Sequence, residues 1–318
     1  MLTLQDIKTA REIISNGVNK TPLIHSNYLS SYCGGSVYLK LENQQITNSF
    51  KIRGALNRMS KLSPDERRRG VVTASSGNHA QAVARVAELL NISAKIFVPE
   101  NTSQTKLDKI KKYNAEIVLY GDYDEVETKA REVAAKEELT YISPYNDAGI
   151  IAGQGTVGLE ILEDLPKVDT IIVAVGGGGL ISGIAIAAKT INPNVKVIGV
   201  QSKAAATVHE SLKAGKIVSI EEGKSFAEGL LGGIEQGAIT FEMIRMYVDD
   251  LVVVEEETIK NAIKLLWENE KQVTEGAGAI AIAPILENQD KFNGKNVVSV
   301  ISGGNIEENL FQKIISGK

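Results

Sequence analysis

Short β-rich runs alternate with longer helical segments along most of this 318-residue chain, and this alternation constrains the fold more than any other feature. Several of the runs are almost continuously apolar, as expected for strands that helices cover on both faces. Between them lie segments such as 78–90 (NHAQAVARVAELL), whose apolar residues share one helical face. The pattern predicts an α/β protein with largely parallel sheet. The predicted strands are 37–41, 71–74, 95–98, 116–120, 170–175, 195–200, 251–254 and 296–301.

The segment 70–146 is a compact series of strand–helix units, with breaks rich in Gly, Pro, Ser and Asn at 99–104 and 143–149. We interpret 70–146 as a small, mobile domain inserted into a large domain that consists of 1–69 and 147–318. The expected architecture is two open, twisted, mostly parallel sheets flanked by helices, one sheet in each domain.

Charge and cysteine content exclude several classes of function. The net charge of −4 argues against a nucleic-acid partner, which usually requires clustered excess Lys and Arg. The single cysteine, Cys33, cannot form an intramolecular disulfide and indicates a cytoplasmic protein. No apolar run is long enough to span a bilayer, so no membrane partner is expected. The spacing of histidines and cysteine fits no transition-metal motif, although a hard cation on carbonyl oxygens stays open.

Three of the predicted strands end in loops of small, hydrogen-bonding residues that precede a helical segment: 75–79 (SSGNH), 176–179 (GGGG) and 302–305 (SGGN). Ligands of open α/β sheets bind beyond the carboxyl ends of strands, so these loops predict the site. In the second loop, four residues without Cβ atoms can aim backbone N–H groups at one anion, which predicts phosphate binding. These residues are Gly176, Gly177, Gly178 and Gly179.

The first of these loops suits a carboxylate, because hydroxyls and backbone N–H groups meet at a helix N-terminus. Plain capping of the helix by a serine is the alternative interpretation, and His79 is interpreted mainly as a structural histidine. The predicted carboxylate-binding residues are Ser75, Ser76, Gly77, Asn78 and His79.

The four-glycine loop does not fit a dinucleotide or a Walker motif. The G-x-G-x-x-G template places Ile181 or Ser182 at its third glycine, and the next strand is not followed by the expected acid. The Walker pattern G-x-x-x-x-G-K-[ST] occurs nowhere. A nicotinamide-dependent oxidoreductase is therefore disfavoured, and a small cofactor that carries one phosphate fits better.

Taken together, the motifs resemble the pyridoxal-phosphate enzymes of the tryptophan-synthase-β-like fold (fold type II). The branch that they resemble most is that of the threonine/serine dehydratases and serine racemases. The resemblance runs along nearly the whole chain and follows the order and spacing of the family. Its motifs are KTPL (20–23), LKLEN (39–43), SFKIRGA (49–55), SSGNHAQ (75–81), IAGQGT (151–156), GGGGLISG (176–183), TEGAGA (274–279) and ISGGN (301–305).

The resemblance implies pyridoxal 5′-phosphate as cofactor, held mainly by the large domain. Lys51 would form the Schiff base with the cofactor aldehyde and remove the α-proton of the substrate. Ser76 would lie on the opposite face of the ring, where racemases use a second acid/base. The other implied cofactor contacts are Phe50 at the ring, Asn78 at the phenolic oxygen, the glycines 176–179 at the phosphate, Ser302 at the pyridine nitrogen, and Glu275 near the ring and the substrate side chain.

The implied reaction is β-elimination of L-threonine or L-serine to a 2-keto acid and ammonia. A neutral serine at the pyridine nitrogen would leave the ring a weak electron sink, which favours rapid loss of the β-hydroxyl. Serine racemase, and a dehydratase of another β-hydroxy amino acid such as 3-hydroxyaspartate, stay open as alternatives. A non-catalytic amino-acid sensor is disfavoured by the complete set of Lys51, Ser76, Asn78 and Ser302. The family implies a homodimer or homotetramer.

Three departures from the family pattern restrict what the resemblance implies. Gln201 and Thr207 stand where serine racemases carry acids, so a divalent-cation site is in doubt and the metal is unknown. The segment 227–233 (AEGLLGG) differs from many catabolic threonine dehydratases, which leaves the preferred substrate open. Only a short tail follows Asn305, so the resemblance is to short enzymes without a C-terminal regulatory domain. Arg53, inside the SFKIRGA motif, is interpreted as structural.

Overall fold

The computed structural model describes residues 2–317 and the side chains of all of these except residue 124. In this range the chain forms ten strands and fifteen α-helices, joined by short 3₁₀ turns. The strands are β1 Leu23–His25, β2 Ser36–Leu41, β3 Val71–Ala74, β4 Ala94–Val98, β5 Glu116–Leu119, β6 Thr140–Tyr141, β7 Thr170–Ala174, β8 Lys196–Ser202, β9 Asp250–Val254 and β10 Asn296–Ile301. The helices are α1 Leu4–Ile14, α2 Asn27–Cys33, α3 Lys51–Ser60, α4 Pro64–Arg69, α5 Asn78–Leu90, α6 Gln104–Lys111, α7 Tyr123–Lys136, α8 Ala148–Asp164, α9 Gly179–Ile191, α10 Thr207–Ala214, α11 Ile239–Tyr247, α12 Glu256–Glu270, α13 Gly276–Ala279, α14 Ala283–Glu287 and α15 Glu308–Ser316.

The strands form two sheets. The larger has the order β1-β2-β10-β7-β8-β9, in which only the β1–β2 pair is antiparallel. The smaller has the order β5-β4-β3-β6 and is parallel throughout. The predicted fold class, two mostly parallel sheets flanked by helices, is therefore confirmed. All strands of the smaller sheet lie within 70–146, and the division into two domains with these boundaries stays a prediction.

The eight predicted strands are present with small shifts of their ends, and two further strands were not predicted. Strand β7 is buried along its whole length, which explains the continuous apolar run at 171–174. The unpredicted strands, β1 and β6, are three and two residues long. Such short segments at the edges of their sheets carry too few residues to show a period of two.

Helix α3 packs between α5 and α8 and carries Lys51 at its first position. Its residues Ile52 and Leu56 share a buried cluster with Val83 and Val86 of α5, next to the smaller sheet. On its other side, α3 approaches α8 so closely that a Cβ on Gly153 would overlap the backbone oxygen of Arg53. The N-terminus of α3 is therefore fixed by packing against both parts of the molecule.

Within residues 2–317, no helix combines the length and the apolar composition that crossing a membrane requires.

Candidate active site

Lys51 lies at the N-terminus of α3 and is largely removed from solvent. Its Nζ donates a hydrogen bond to the backbone oxygen of Pro144 at 2.8 Å and lies 5.2 Å from the centre of the Phe50 ring. Burial lowers the pKa of the Lys51 amine to about 8, and the charge of Glu275 opposes this change. The position at the positive end of a helix also disfavours a protonated amine. Near neutral pH, Lys51 is therefore unprotonated, and nucleophilic, far more often than an exposed lysine.

The segment that carries Lys51 is held against the loop after β10. The backbone N–H of Phe50 donates to the oxygen of Ser302 at 3.1 Å, and the N–H of Gly304 donates to the oxygen of Asn48 at 2.9 Å. Asn48 takes the left-handed conformation, with φ of 54°, which turns the chain sharply before the helix. These bonds bring the SFKIRGA and ISGGN motifs together, as the resemblance implies.

The four-glycine loop follows β7 and leads into α9. A Cβ on Gly177 would overlap the ring of Tyr145, and Gly178 has φ of 85°, so both positions require glycine. Thr240 of α11 donates to the backbone oxygen of Gly177 at 2.8 Å and holds the loop from its other side. The result is a cradle of backbone N–H groups at a helix N-terminus, which fits a phosphate.

Tyr145 connects this cradle to Lys51. Its ring packs against Gly177 and its main chain against Gly179, while its hydroxyl accepts a hydrogen bond from the N–H of Glu235 at 2.9 Å. The preceding residue, Pro144, supplies the oxygen that Lys51 contacts. The sequence assigned no role to this segment, because its Pro and Asn suggested only a break. It follows β6, a strand too short to predict.

The loop 75–79 runs from the end of β3 into α5. The N–H of Gly77 donates to the hydroxyl of Ser75 at 3.2 Å, so Ser75 shapes the turn. The Ser76 hydroxyl has no hydrogen-bond partner among residues 2–317 and is available to a ligand. A Cβ on Gly77 would meet no atom within 4 Å, so open space lies beside the loop.

His79 is buried and its Nε2 lies 3.0 Å from the backbone oxygen of Ile142. Because a carbonyl only accepts, the hydrogen must be on Nε2. Burial, assisted by the positive charge of Lys51, lowers the pKa of His79 to about 3, so the ring is neutral. The side chain therefore joins the loop to the end of β6, which agrees with a structural interpretation.

Asn78, Glu275 and Asn305 form a hydrogen-bonded chain of side chains. The amide nitrogen of Asn78 donates to Glu275 Oε1 at 2.5 Å, and its oxygen accepts from Asn305 Nδ2 at 2.7 Å. Burial raises the pKa of Glu275, and its bond with Asn78 opposes the rise. Asn305 is part of the ISGGN motif, but no local pattern in the chain assigned it a role.

Ser302 is buried directly after β10, and its hydroxyl donates to the backbone oxygen of Ala277 at 3.0 Å. Ala277 belongs to α13, which the motif TEGAGA forms. The hydroxyl is neutral and can also accept a hydrogen bond. Ser302 thereby joins the loop after β10 to the segment that carries Glu275.

The segment 227–233 flanks the cradle, as its sequence position suggested. A Cβ on Gly176 would lie 3.2 Å from Cα of Leu230, and Glu228 pairs with Lys106 of α6 at 2.9 Å. Lys109, one turn further along α6, is half-buried, and burial lowers its pKa while Glu275 opposes this. The sequence missed both lysines, which stand in a polar helix among several others.

Gln201 and Thr207 both take part in hydrogen bonds within the protein. The Gln201 amide nitrogen donates to the backbone oxygens of Val175 at 3.1 Å and Ala205 at 3.2 Å, and Thr207 donates to Glu222 at 3.0 Å. No group of three or more His, Cys, Asp or Glu side chains in the described part of the chain is arranged to hold a metal ion.

A cavity of about 1130 Å³ lies elsewhere in the molecule, between α11 and the start of α8. Its lining is mainly apolar and includes Phe241, Met243 and Met246. None of the predicted site residues lines it, so its size does not bear on the chemistry of Lys51.

The family model described as "Pyridoxal-phosphate dependent enzyme" matches residues 14–303. The L-threonine ammonia-lyase of Thermotoga maritima is 46% identical over 317 residues, which cover 99% of this chain and 79% of that protein. The catabolic L-threonine dehydratase TdcB of Escherichia coli is 43% identical over 309 residues, which cover 96% and 94%. Among solved structures, a serine racemase from maize superposes with a TM-score of 0.94 at 35% identity, covering 99% of this chain and 98% of that one. The similarity thus extends over both sheets.

Proposed function

Because this chain belongs to the family of pyridoxal-phosphate dependent enzymes, we propose that it is a threonine/serine ammonia-lyase. It would convert L-threonine, and also L-serine, into a 2-keto acid and ammonia. The observation that carries the proposal is the Lys51 amine. It is desolvated, has a pKa of about 8, and contacts the oxygen of Pro144, whose neighbour Tyr145 packs against the glycine cradle, in a chain 46% identical to an L-threonine ammonia-lyase.

The residues present fit the cofactor. The N–H groups of 176–179 would bind the phosphate, and Tyr145 limits the cradle to residues without Cβ atoms. Phe50 would cover the ring, Ser302 would receive the pyridine nitrogen and Asn78 the phenolic oxygen. When bound, pyridoxal phosphate withdraws electrons from the Cα of an amino acid attached to it.

The protein side chains supply binding and proton transfer. We assign the substrate carboxylate to the loop 75–79, where backbone N–H groups at the start of α5 and the hydroxyl of Ser76 are available. The unprotonated Lys51 amine accepts the proton from Cα, and its pKa of about 8 suits a base that works near neutral pH. We place Glu275 near the substrate side chain, where its carboxylate, bound by the Asn78 amide, would accept a hydrogen bond.

Serine racemase is the second candidate, and the observation that favours it is the unpartnered hydroxyl of Ser76. A second acid/base on the face opposite Lys51 would return a proton with inverted configuration. The similarity to maize serine racemase, at 35% identity, fits this alternative less well than the two lyases at 43–46%. A substrate such as 3-hydroxyaspartate is a further candidate that the substrate test below includes.

We also propose a cytoplasmic homodimer or homotetramer. The single cysteine, Cys33, is buried and unpaired, as expected in a reducing compartment. Size-exclusion chromatography with light scattering would measure the oligomeric state.

Two measurements test the function. Borohydride treatment of the purified protein should fix the cofactor covalently, and peptide mass spectrometry should locate it on Lys51. An assay for 2-keto acids with L-threonine, L-serine and 3-hydroxyaspartate then ranks the substrates, while chiral chromatography detects D-serine. A colourless protein without labelled lysine would contradict the proposal, and D-serine formed faster than pyruvate would replace the lyase by the racemase.

A further inference from the structure

The loop after β10 ends in Asn305, whose side chain contacts Asn78 across the site. Asn305 Nδ2 lies 2.9 Å from the backbone oxygen of Thr47 and 2.7 Å from Oδ1 of Asn78. Asn78 Nδ2 in turn lies 2.5 Å from Oε1 of Glu275. Two amides and a carboxylate thus form a chain that starts at a backbone carbonyl.

The backbone carbonyl fixes the polarity of the whole chain. The oxygen of Thr47 can only accept a hydrogen bond, so the atom of Asn305 that faces it must be the NH₂ group. The same NH₂ group faces Asn78, which must therefore present its oxygen to Asn305. The NH₂ group of Asn78 is then directed to the opposite side, towards Glu275.

The other end of the chain requires the same orientation. An ionised Glu275 has only acceptor oxygens, so the group of Asn78 that faces it must donate. Reversal of the Asn78 amide would bring two acceptors together at Glu275 and two donors together at Asn305. Each end of the chain independently selects the same direction of the amide.

We propose that Asn305 is a positioning residue that holds the Asn78 amide with its NH₂ group towards Glu275 and the cofactor. This inference rests on the proposed function for the role of Asn78, which is to donate to the phenolic oxygen of pyridoxal phosphate. Without Asn305, only Glu275 would hold the Asn78 amide, and the amide would more often present its oxygen to the phenolate, which would repel it.

The contact also joins the two sheets. Asn305 follows β10 of the larger sheet, and Asn78 opens the helix after β3 of the smaller one. In this proposal, a residue that follows the larger sheet, Asn305, sets the orientation of Asn78, which follows the smaller sheet and would contact the cofactor.

Two substitutions separate this role from simple packing. N305D keeps the size of the side chain, but its carboxylate only accepts, so it repels the oxygen of Thr47 and attracts the NH₂ group of Asn78. The amide of Asn78 should then rotate and turn its oxygen towards Glu275. N305A removes the hydrogen bond that Asn305 donates to Asn78, but puts no acceptor in its place. N269D, at an exposed asparagine of α12, is the control for an added negative charge.

The expected results follow from this difference. The N305A variant should lose about tenfold in kcat/KM and in cofactor affinity, and N305D about 100-fold, because an acceptor then faces an acceptor. N305A should keep the visible absorption band of the wild-type protein, whereas N305D should shift it. N269D should match the wild type. Equal losses in the two variants, or a larger loss in N305A with an unshifted band in both, would indicate packing alone and overturn the proposal.

Crystal structures of the cofactor-free wild type and N305D report the orientation through the distance between Asn78 and Glu275. In N305D, Asn78 and Glu275 should separate beyond hydrogen-bond distance, about 3.5 Å. An unchanged Asn78–Glu275 bond in N305D would contradict the proposal. This result does not depend on the reaction: a wild-type protein that binds no cofactor would sink the proposed function, while the structures would still decide the role of Asn305.

Discussion

Helix α3 carries the partly buried Lys51 and the buried Arg53 two residues apart, and the surroundings of these two cations differ completely. Arg53 belongs to a balanced network in which it pairs with Glu42 at 2.8 Å and Glu160 at 2.6 Å, while Lys40 pairs with Glu160 at 2.6 Å. Within residues 2–317 no carboxylate pairs with Lys51; its amine contacts the backbone oxygen of Pro144 and the Phe50 ring, and Glu275 acts on it from a distance. The charge of Arg53 is thus balanced by neighbouring carboxylates, whereas that of Lys51 is not.

The difference separates a structural cation from a reactive one. Burial opposes the charge of Arg53, but the two carboxylates outweigh it and raise the pKa of the guanidinium above its ordinary value. At Lys51 burial prevails and the pKa falls to about 8. A desolvated cation thus stays charged where carboxylates pair with it. Where no carboxylate pairs with it, its pKa falls, it can lose its proton, and it can act as a nucleophile and base. The structure gives Arg53 the structural role that its sequence context suggested.

The largest expected effect concerns the unbalanced lysine. K51A should lower kcat by a factor of about 1000 or more, because the base and the covalent attachment of the cofactor are lost together. The melting temperature of the cofactor-free protein should not fall. The 2-keto acid assay and thermal unfolding measure the two quantities, with the exposed K61A at the end of the same helix as control. A K51A variant with more than a tenth of the wild-type activity would remove the distinction between the two cations.

The balanced network should respond in stability. R53M leaves Glu42 and Glu160 buried with too little positive charge, and breaking such a pair typically costs about 3–5 kcal/mol of unfolding free energy. Urea unfolding of the holoenzyme measures this cost. R53K, which keeps the charge but loses the two-pronged geometry, should lie between R53M and the wild type. A cost of R53M below about 1 kcal/mol would show that the network is not structural.

The pH dependence of stability should reveal the depressed pKa of Lys51. Between pH 8 and 10.5 the unfolded chain holds a proton on this lysine that the folded chain has lost, so the folded state gains stability as pH rises. In the cofactor-free protein this part of the unfolding free energy should amount to about 1–3 kcal/mol. This contribution is measured as the difference in unfolding free energy between the wild type and K51M, determined from pH 7 to pH 11. A difference that does not change with pH would mean that Lys51 is not desolvated.

The smallest effect tests the long-range partner of Lys51. Glu275 raises the pKa of Lys51, so E275Q should lower the pKa of Lys51 further. The pH dependence of Lys51 modification by an amine-reactive reagent, located by mass spectrometry in cofactor-free protein, measures the shift. E228Q, whose partner is Lys106, is a control outside the immediate surroundings of Lys51. A rise of the pKa of Lys51 in E275Q would contradict this role of Glu275.

The sequence alone determined the architecture and the motifs of the site. Continuous apolar runs indicated the buried strands, because a strand covered on both faces needs apolar residues at every position. The three loops after β3, β7 and β10 were predictable, since clusters of Gly, Ser and Asn at strand ends favour turns and ligand-binding loops. Strands as short as β1 and β6 show no recognisable sequence pattern. Because β6 was not predicted, the sequence also did not indicate that the segment after it, 144–145, contacts Lys51.

Only the tertiary structure decided which residues of these motifs contact each other and which of their side chains are charged. Lys51 reaches the oxygen of Pro144 across 93 positions, Arg53 reaches Glu160 across 107, and Asn305 reaches Asn78 across 227. No local pattern encodes such pairs, because a hydrogen bond depends on distance in space and on which atoms burial leaves without water. The sequence supplied a lysine with the right neighbours in its motif. The fold removed its water, kept carboxylates away from its amine, and so made it reactive.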